Sequence, residues 1–212
     1  MHAWLSPLPL VAILRGLHPD QAADVGCAIA DAGFHILEVP LNSPRPLKSI
    51  ARLTEVLGDR CLIGAGTVLD AASVAEVAAA GGRIIVMPHT DPAVIAAAKD
   101  AGLRCVPGVA TPSEAFAALR AGADAVKAFP AEQITPAVLR AWRAVLPRNT
   151  AVLPVGGITP DNMPTYIEAG AAGFGIGSAL FKPGRSIDDI HRAAQRFAQA
   201  WPATDEAHGD RP

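Results

Sequence analysis

A chain of 212 residues that is 50% hydrophobic and 18% charged is long enough to bury one sizeable core, and one domain is expected. Its formal net charge of −2 supplies no basic field for nucleic acid or an acidic membrane surface, which leaves a small molecule as the expected partner. Aromatics are only 5%, and the dominance of Ala, Val, Ile and Leu suits helices packed on strands that are covered on both faces, an α/β composition.

Along the chain, helical stretches of small residues end in Ala-Gly at Ala32-Gly33, Ala80-Gly81, Ala101-Gly102, Ala121-Gly122 and Ala169-Gly170. An apolar run soon follows each one, so the glycines read as helix C-caps that hand the chain to strands. The apolar runs fall at 10–14, 36–39, 61–64, 84–87, 104–106, 125–128, 152–155 and 173–176. Between them, helices are expected to open at Pro19-Asp20, Ser43-Pro44, Asp70, Asp91-Pro92, Thr111-Pro112, Thr135-Pro136, Thr159-Pro160 and Ser186. Eight βα units in this length predict a single (β/α)₈ TIM barrel spanning residues 1–201. An open doubly wound sheet is the alternative, since local patterns do not show closure.

Residues before Leu8 are expected to lie over the barrel bottom with Trp4 as an apolar anchor, and residues 202–212 to form a flexible tail. Cys27, Cys61 and Cys105 have no CxxC spacing and sit in apolar surroundings, so they read as buried, reduced thiols. The apolar segment 8–14 is too short to span a bilayer and no basic leader precedes it, so a cytoplasmic enzyme is expected.

In such a barrel the C-terminal strand ends carry the chemistry. Lys127 stands between Val126 and Ala128 near the end of the sixth run, where apolar neighbours penalise the ammonium form and free an amine to attack a ketone. Position alone leaves open a lysine that snorkels to the rim or pairs with a carboxylate. Glu38, in Ile-Leu-Glu-Val-Pro, can exchange protons with a substrate hydroxyl and carbon or form an ion pair with Arg15 or Lys127. Arg15 closes the first run, where its guanidinium can fork onto a carboxylate or phosphate.

Gly64-Ala65-Gly66-Thr67 gives close backbone approach plus the Thr67 hydroxyl at the barrel mouth, and fits a tight turn equally well. Gly156-Gly157 after the seventh run and Gly175-Ile176-Gly177-Ser178 after the eighth occupy the recurrent phosphate position of barrels. A short helix after Ser178 is expected to aim its positive end at the anion. Six scattered histidines show no HxH or HExxH spacing, so no metal site is expected. His89, near a rim, reads better as a loop residue than as a catalyst, and Pro107-Gly108 is expected to shape a loop that meets the substrate, although ending a strand suffices to explain Pro88 and Pro107.

Taken in order, Ile13-Leu14-Arg15-Gly16, Glu38-Val39-Pro40-Leu41-Asn42-Ser43-Pro44, Gly64-Ala65-Gly66-Thr67-Val68, Pro107-Gly108, Lys127-Ala128-Phe129-Pro130, Val155-Gly156-Gly157-Ile158-Thr159-Pro160 and Gly175-Ile176-Gly177-Ser178-Ala179-Leu180 resemble the keto-deoxy-phosphogluconate and keto-deoxy-phosphogalactonate aldolases. The resemblance runs from about Leu8 to Trp201. It implies a class I aldolase with Lys127 as the Schiff-base lysine, Glu38 as proton donor and acceptor, and Thr67 against the pyruvyl portion. By the same resemblance, Gly157, Gly177 and Ser178 hold phosphate and Arg15 is a further substrate contact.

Gluconate-type members usually carry an arginine where this chain has Asn42, and Asn42-Ser43-Pro44 together with Arg15 looks like the branch acting on 2-dehydro-3-deoxy-6-phosphogalactonate. The resemblance implies pyruvate and a phosphorylated keto-deoxy sugar acid as ligands, no cofactor, and a homotrimer. The gluconate epimer as substrate, a barrel phosphosugar epimerase and a non-catalytic sensor of phosphorylated ligands are the competing readings.

Overall fold

The computed structural model describes residues 3–202. Its strands are β1 (Leu10–Ile13), β2 (Ile36–Pro40), β3 (Leu62–Gly66), β4 (Ile84–Val86), β5 (Arg104–Val106), β6 (Gly108–Val109), β7 (Val126–Ala128), β8 (Val152–Pro154) and β9 (Phe174–Ile176). The α-helices are α1 (Ala22–Asp31), α2 (Pro46–Leu57), α3 (Ala71–Ala79), α4 (Pro92–Asp100), α5 (Pro112–Arg120), α6 (Pro136–Arg143), α7 (Met163–Glu168) and α8 (Ile187–Ala200). Every strand pair is parallel, in a six-stranded sheet ordered β5-β4-β3-β2-β1-β9 and a three-stranded sheet ordered β6-β7-β8.

Each expected apolar run overlaps a strand, β2 and β3 extend past theirs to Pro40 and Gly66, and the short β6 is additional. Only Pro107 separates β5 from β6. Proline has no N–H to give a ladder, but its carbonyl still accepts from the Lys127 N–H at 2.8 Å. Pro107 and Gly108 therefore lie along the sheet, not in a substrate loop as the sequence reading expected. At the other end of the three-stranded sheet, Val155 bridges Gly175, and the Ala172 N–H donates to Val152 O at 2.9 Å.

Alternate strand residues enter two different cores, as the period of two requires. Leu10, Ala12, Leu37, Val39, Ile85, Cys105, Val126 and Val152 join the layer shared with the helices. Val11, Ile36, Ile84, Val86, Val106, Ala125, Ala151 and Leu153 meet one another in a second cluster. Side chains from both sheets converge there, so the parallel sheet is curled around an inner core. Leu5, from a 3-10 turn at Ala3–Leu5, is fully buried in that inner cluster, and Trp4 packs at its edge. Leu5 is thus the deeper apolar anchor, with the expected Trp4 packed against the same cluster.

The five Ala-Gly glycines all have positive φ, between 71° and 101°, the left-handed conformation that ends a helix without a Cβ penalty. Asp70, Asp91, Thr111, Thr135 and Ser186 cap their helices through side-chain oxygens, and Thr111 with Glu114 completes a reciprocal capping box. Two expected starts are displaced. The Ser43 hydroxyl is taken by the Gly16 N–H at 3.0 Å, tying the loop after β2 to the one after β1, and α2 begins at Pro46. Thr159 is drawn into a turn with Asn162, and α7 begins at Met163.

Cys61 and Cys105 are buried free thiols, whereas Cys27 is half-buried at the edge of the main core, not buried as expected. Residues 203–212 of the expected tail lie outside the described residues. Among the described residues, no helix is long and apolar enough to cross a membrane.

Candidate active site

The segments following β1, β2, β3, β4, β7, β8 and β9 surround a cavity of about 690 Å³ at the C-terminal ends of the strands. Arg15, Thr67, Lys127, Gly157, Gly177 and Ser178 all line it, so residues up to 163 positions apart in sequence share one space. Of the site residues read from the sequence, only Glu38 is beneath the cavity floor. His89 is exposed and does not line the cavity.

The inward register explains how two charged groups came to be buried. Ile36 belongs to the inner cluster, so Glu38, two residues on, points the same way, and Ala125 does the same for Lys127. Glu38 is 2% exposed and Lys127 8% exposed. Both line a void of about 10 Å³ walled by Val11, Val86, Val106 and Leu153, and Lys127 also reaches the main cavity above. Lys127 Nζ lies 4.5 Å from the centroid of the Phe129 ring. Among the described residues no ion pair within 4.0 Å joins Glu38 to Lys127 or Arg15. The simple salt-bridge explanation of these two groups is therefore not the geometry observed.

Burial pushes the Lys127 amine below its ordinary value and Arg15 adds to the effect, while Glu38 opposes it. Burial pushes the Glu38 carboxyl up to about 7, against the pull of Lys127 and Arg15. Its Oε2 has no hydrogen-bond partner among the described residues. The arrangement thus holds an amine biased toward its neutral, nucleophilic form beside a carboxyl poised to take or give a proton near neutral pH.

Gly64 and Gly66 are part of β3, so of the two sequence readings the close backbone approach holds and the tight turn does not. Gly66 pairs with Pro40 in the ladder, and a Cβ on it would overlap the Glu38 carboxylate. The glycine makes the room in which the acid sits. Gly66→Ala is expected to displace that carboxylate and lower kcat by roughly 10²-fold, the usual weight of one acid–base group. Steady-state kinetics alongside a melting curve would check that the loss exceeds any loss of folded protein.

At the rim, the Arg15 guanidinium donates to Asn42 Oδ1 and, at 3.3 Å, to Thr67 Oγ1. Thr67 takes φ 55°, a left-handed conformation costly for a β-branched residue, and its hydroxyl is thereby turned onto Arg15 and the cavity. Three loops are linked through one cation that lines the cavity.

A further stretch of the wall is made of backbone. Among the described residues, no backbone carbonyl accepts from the N–H of Gly157, Ile158, Ser178 or Ala179. The expected helix after Ser178 is instead a single turn, closed by bonds from the Leu180 and Phe181 N–H to Gly177 O at 2.9 and 3.0 Å. Lys182 and Arg185 line the same end, and Arg185 stiffens the turn by donating to Ala179 O and Leu180 O at 2.9 and 2.7 Å. Unpaired N–H groups plus two cations suit a phosphate. The sequence reading missed both cations, and also Glu132, whose carboxylate rests over Gly156 and Gly157. Polar residues in an exposed loop carry no local signal that separates them from ordinary surface.

The model of the KDPG and KHG aldolase family matches residues 1–194. The 2-dehydro-3-deoxy-6-phosphogalactonate aldolase of Escherichia coli is 46% identical over 199 residues, covering 93% of this chain and 97% of that one. A solved native KDPGal structure superposes with a TM-score of 0.92 at 45% identity, covering 96% of this chain and 98% of the other. A KDPG aldolase from Legionella pneumophila, with pyruvate captured as a covalent carbinolamine, superposes with a TM-score of 0.80 at 27% identity, covering 92% and 97%. With the cavity, its buried lysine and the match over nearly the whole length in agreement, this chain belongs to the KDPG and KHG aldolase family and is an aldolase, a carbon–carbon lyase.

Proposed function

We propose that this protein is a class I aldolase that reversibly cleaves 2-dehydro-3-deoxy-6-phospho-D-galactonate to pyruvate and D-glyceraldehyde 3-phosphate. The observation that carries the reading is Lys127, buried, biased toward the free amine and opening into the cavity, with the unpaired Glu38 carboxyl below it.

In this mechanism the Lys127 amine adds to the C2 ketone, and loss of water gives a cationic imine. Glu38, directly or through one water, takes the C4 hydroxyl proton. The C3–C4 electron pair moves into the imine, releasing the aldehyde and leaving an enamine. The same carboxyl returns its proton to C3, and hydrolysis of the imine frees pyruvate and regenerates the amine. No metal or organic cofactor takes part. Thr67 contacts the pyruvyl portion, and Gly157, Gly177 and Ser178 receive the phosphate, joined by Lys182 and Arg185. Phosphate binding at a distance from the reacting carbons spends non-reacting binding energy on placing C2 over Lys127.

The galactonate epimer is favoured over the gluconate one by the Arg15–Asn42 pairing at the rim and by the 46% identical relative acting on that epimer. The fold is read as a closed (β/α)₈ barrel, supported by the continuity of β5 and β6 through Pro107 and by the Val155–Gly175 bridge. A cytoplasmic homotrimer completes the proposal.

Pyruvate release from the two purified C4 epimers, followed with a coupled dehydrogenase, tests the reading. The galactonate epimer is expected to give a kcat/KM at least about tenfold higher, the weight of one well-placed polar contact. The opposite order would assign the protein to the gluconate epimer, and no release from either would remove the aldolase assignment.

A further inference from the structure

The loop after β8 presents a problem of order. Gly156 and Gly157 both have positive φ, 113° and 61°, and two consecutive glycines are the most flexible pair a chain can place there. The N–H groups of Gly157 and Ile158 make no backbone bond among the described residues. Donors on such a segment bind an anion well only when something other than the sheet holds them in place.

The Asn162 side chain does so. Its amide Nδ2 donates to Gly157 O at 2.9 Å, and its Oδ1 accepts from the Thr159 N–H at 2.9 Å, so one planar group spans both ends of residues 157–159. In a trans peptide the carbonyl and the following N–H point in opposite directions. Drawing Gly157 O toward Asn162 therefore turns the Ile158 N–H away from Asn162 and toward the cavity that Gly157, Ile158 and Thr159 line. Asn162 itself does not line that cavity.

We infer that Asn162 is a positioning residue for phosphate, acting through the Gly157–Ile158 peptide without touching the ligand. The inference rests on the aldolase reading for its choice of substrate, but not for its anion. Loss of the clamp lets the peptide rotate, so the cost falls on the phosphate and leaves the chemistry at Lys127 intact.

The test uses the full chain with Asn162→Ala and Asn162→Asp. Aspartate keeps the acceptor for the Thr159 N–H but sets a carboxylate against Gly157 O, so it breaks the donor half of the clamp with little change of shape. Calorimetric titration with inorganic phosphate is expected to show roughly tenfold weaker binding in both variants, the worth of about one hydrogen bond to a charged group. In the condensation direction with pyruvate, kcat/KM for D-glyceraldehyde 3-phosphate should fall about as much, whereas unphosphorylated D-glyceraldehyde should react as with the wild type.

Equal losses on the phosphorylated and unphosphorylated aldehydes would reveal a merely structural asparagine, and unchanged phosphate binding would overturn the inference directly. Weakened phosphate binding in variants of a protein that condenses neither aldehyde would uphold the clamp while removing the aldolase reading.

Discussion

Lys127→Met is expected to abolish the imine and lower kcat on the order of 10⁴-fold or more, because among the described residues the other lysine lining the cavity, Lys182, stands at its far end beside Arg185 and does not reach the void that Lys127 shares with Glu38. Methionine approximates the lysine stem in length and removes a cation that burial already disfavours, so the fold should survive the change. Trapping with pyruvate and borohydride reads the chemistry directly. The wild-type protein should carry a stable adduct on the peptide containing Lys127, and the variant none. Lys127→Arg separates the two things a lysine can offer. It keeps a positive charge but presents no neutral nucleophile, so it should be as inactive as the methionine variant. An arginine variant retaining more than about a hundredth of wild-type turnover would show that the charge, not the imine, is what the reaction needs.

That Lys127 and Glu38 were legible in the sequence follows from their cost. A charged residue two positions along from an inner-facing Ala125 or Ile36 must be taken out of water, and a chain tolerates that only for a reason. The helix ends were legible for a similarly local cause, since a left-handed C-cap selects glycine and an N-cap selects a short oxygen side chain.

The errors arose where a tertiary partner outcompeted a local preference. The Ser43 hydroxyl accepts from the Gly16 N–H and so does not open α2. Ser178 entered a turn that Arg185 holds from outside, where a helix had been expected. Gly66 was read as allowing close backbone approach or a tight turn, and what it makes room for is a side chain 28 residues earlier in the chain, which no local pattern reveals. Glu132 stayed hidden because the fold brings it beside Gly156 and Gly157, whereas Asn162 and Arg185 bond to residues three to six positions away and, like Lys182, are polar loop residues that no local pattern marks out.

Glu38→Gln tests the proton inventory through two measurements that move in opposite directions. The carboxyl has its folded value raised to about 7 from 4.5, so across that window the folded protein holds a proton that the unfolded chain has released. Stability on this account is greatest below about 4.5, falls as the pH climbs to about 7, and is level above, with a total decline of up to ~3 kcal/mol. Lys127 has the other sign: its folded value is lowered, so its contribution grows as the pH rises toward its ordinary 10.5. Glutamine cannot ionise, and the variant should therefore lose the decline between 4.5 and 7 and melt several degrees above the wild type at pH 8.

Activity should go the other way. Wild-type cleavage needs the ionised carboxylate, so kcat should rise with pH through about 7, whereas the variant should lose about 10²–10³-fold in kcat together with that acidic limb. The borohydride adduct on Lys127 should persist, since the amine in the variant has no carboxylate to hold it protonated. A glutamine variant that kept the wild-type stability profile would assign the proton to another group, and one that kept the acidic limb would place the base of the reaction elsewhere. A more stable protein that forms the imine but scarcely breaks the C3–C4 bond is the result that would identify Glu38 as a carboxyl buried at a cost in stability because the reaction needs it there.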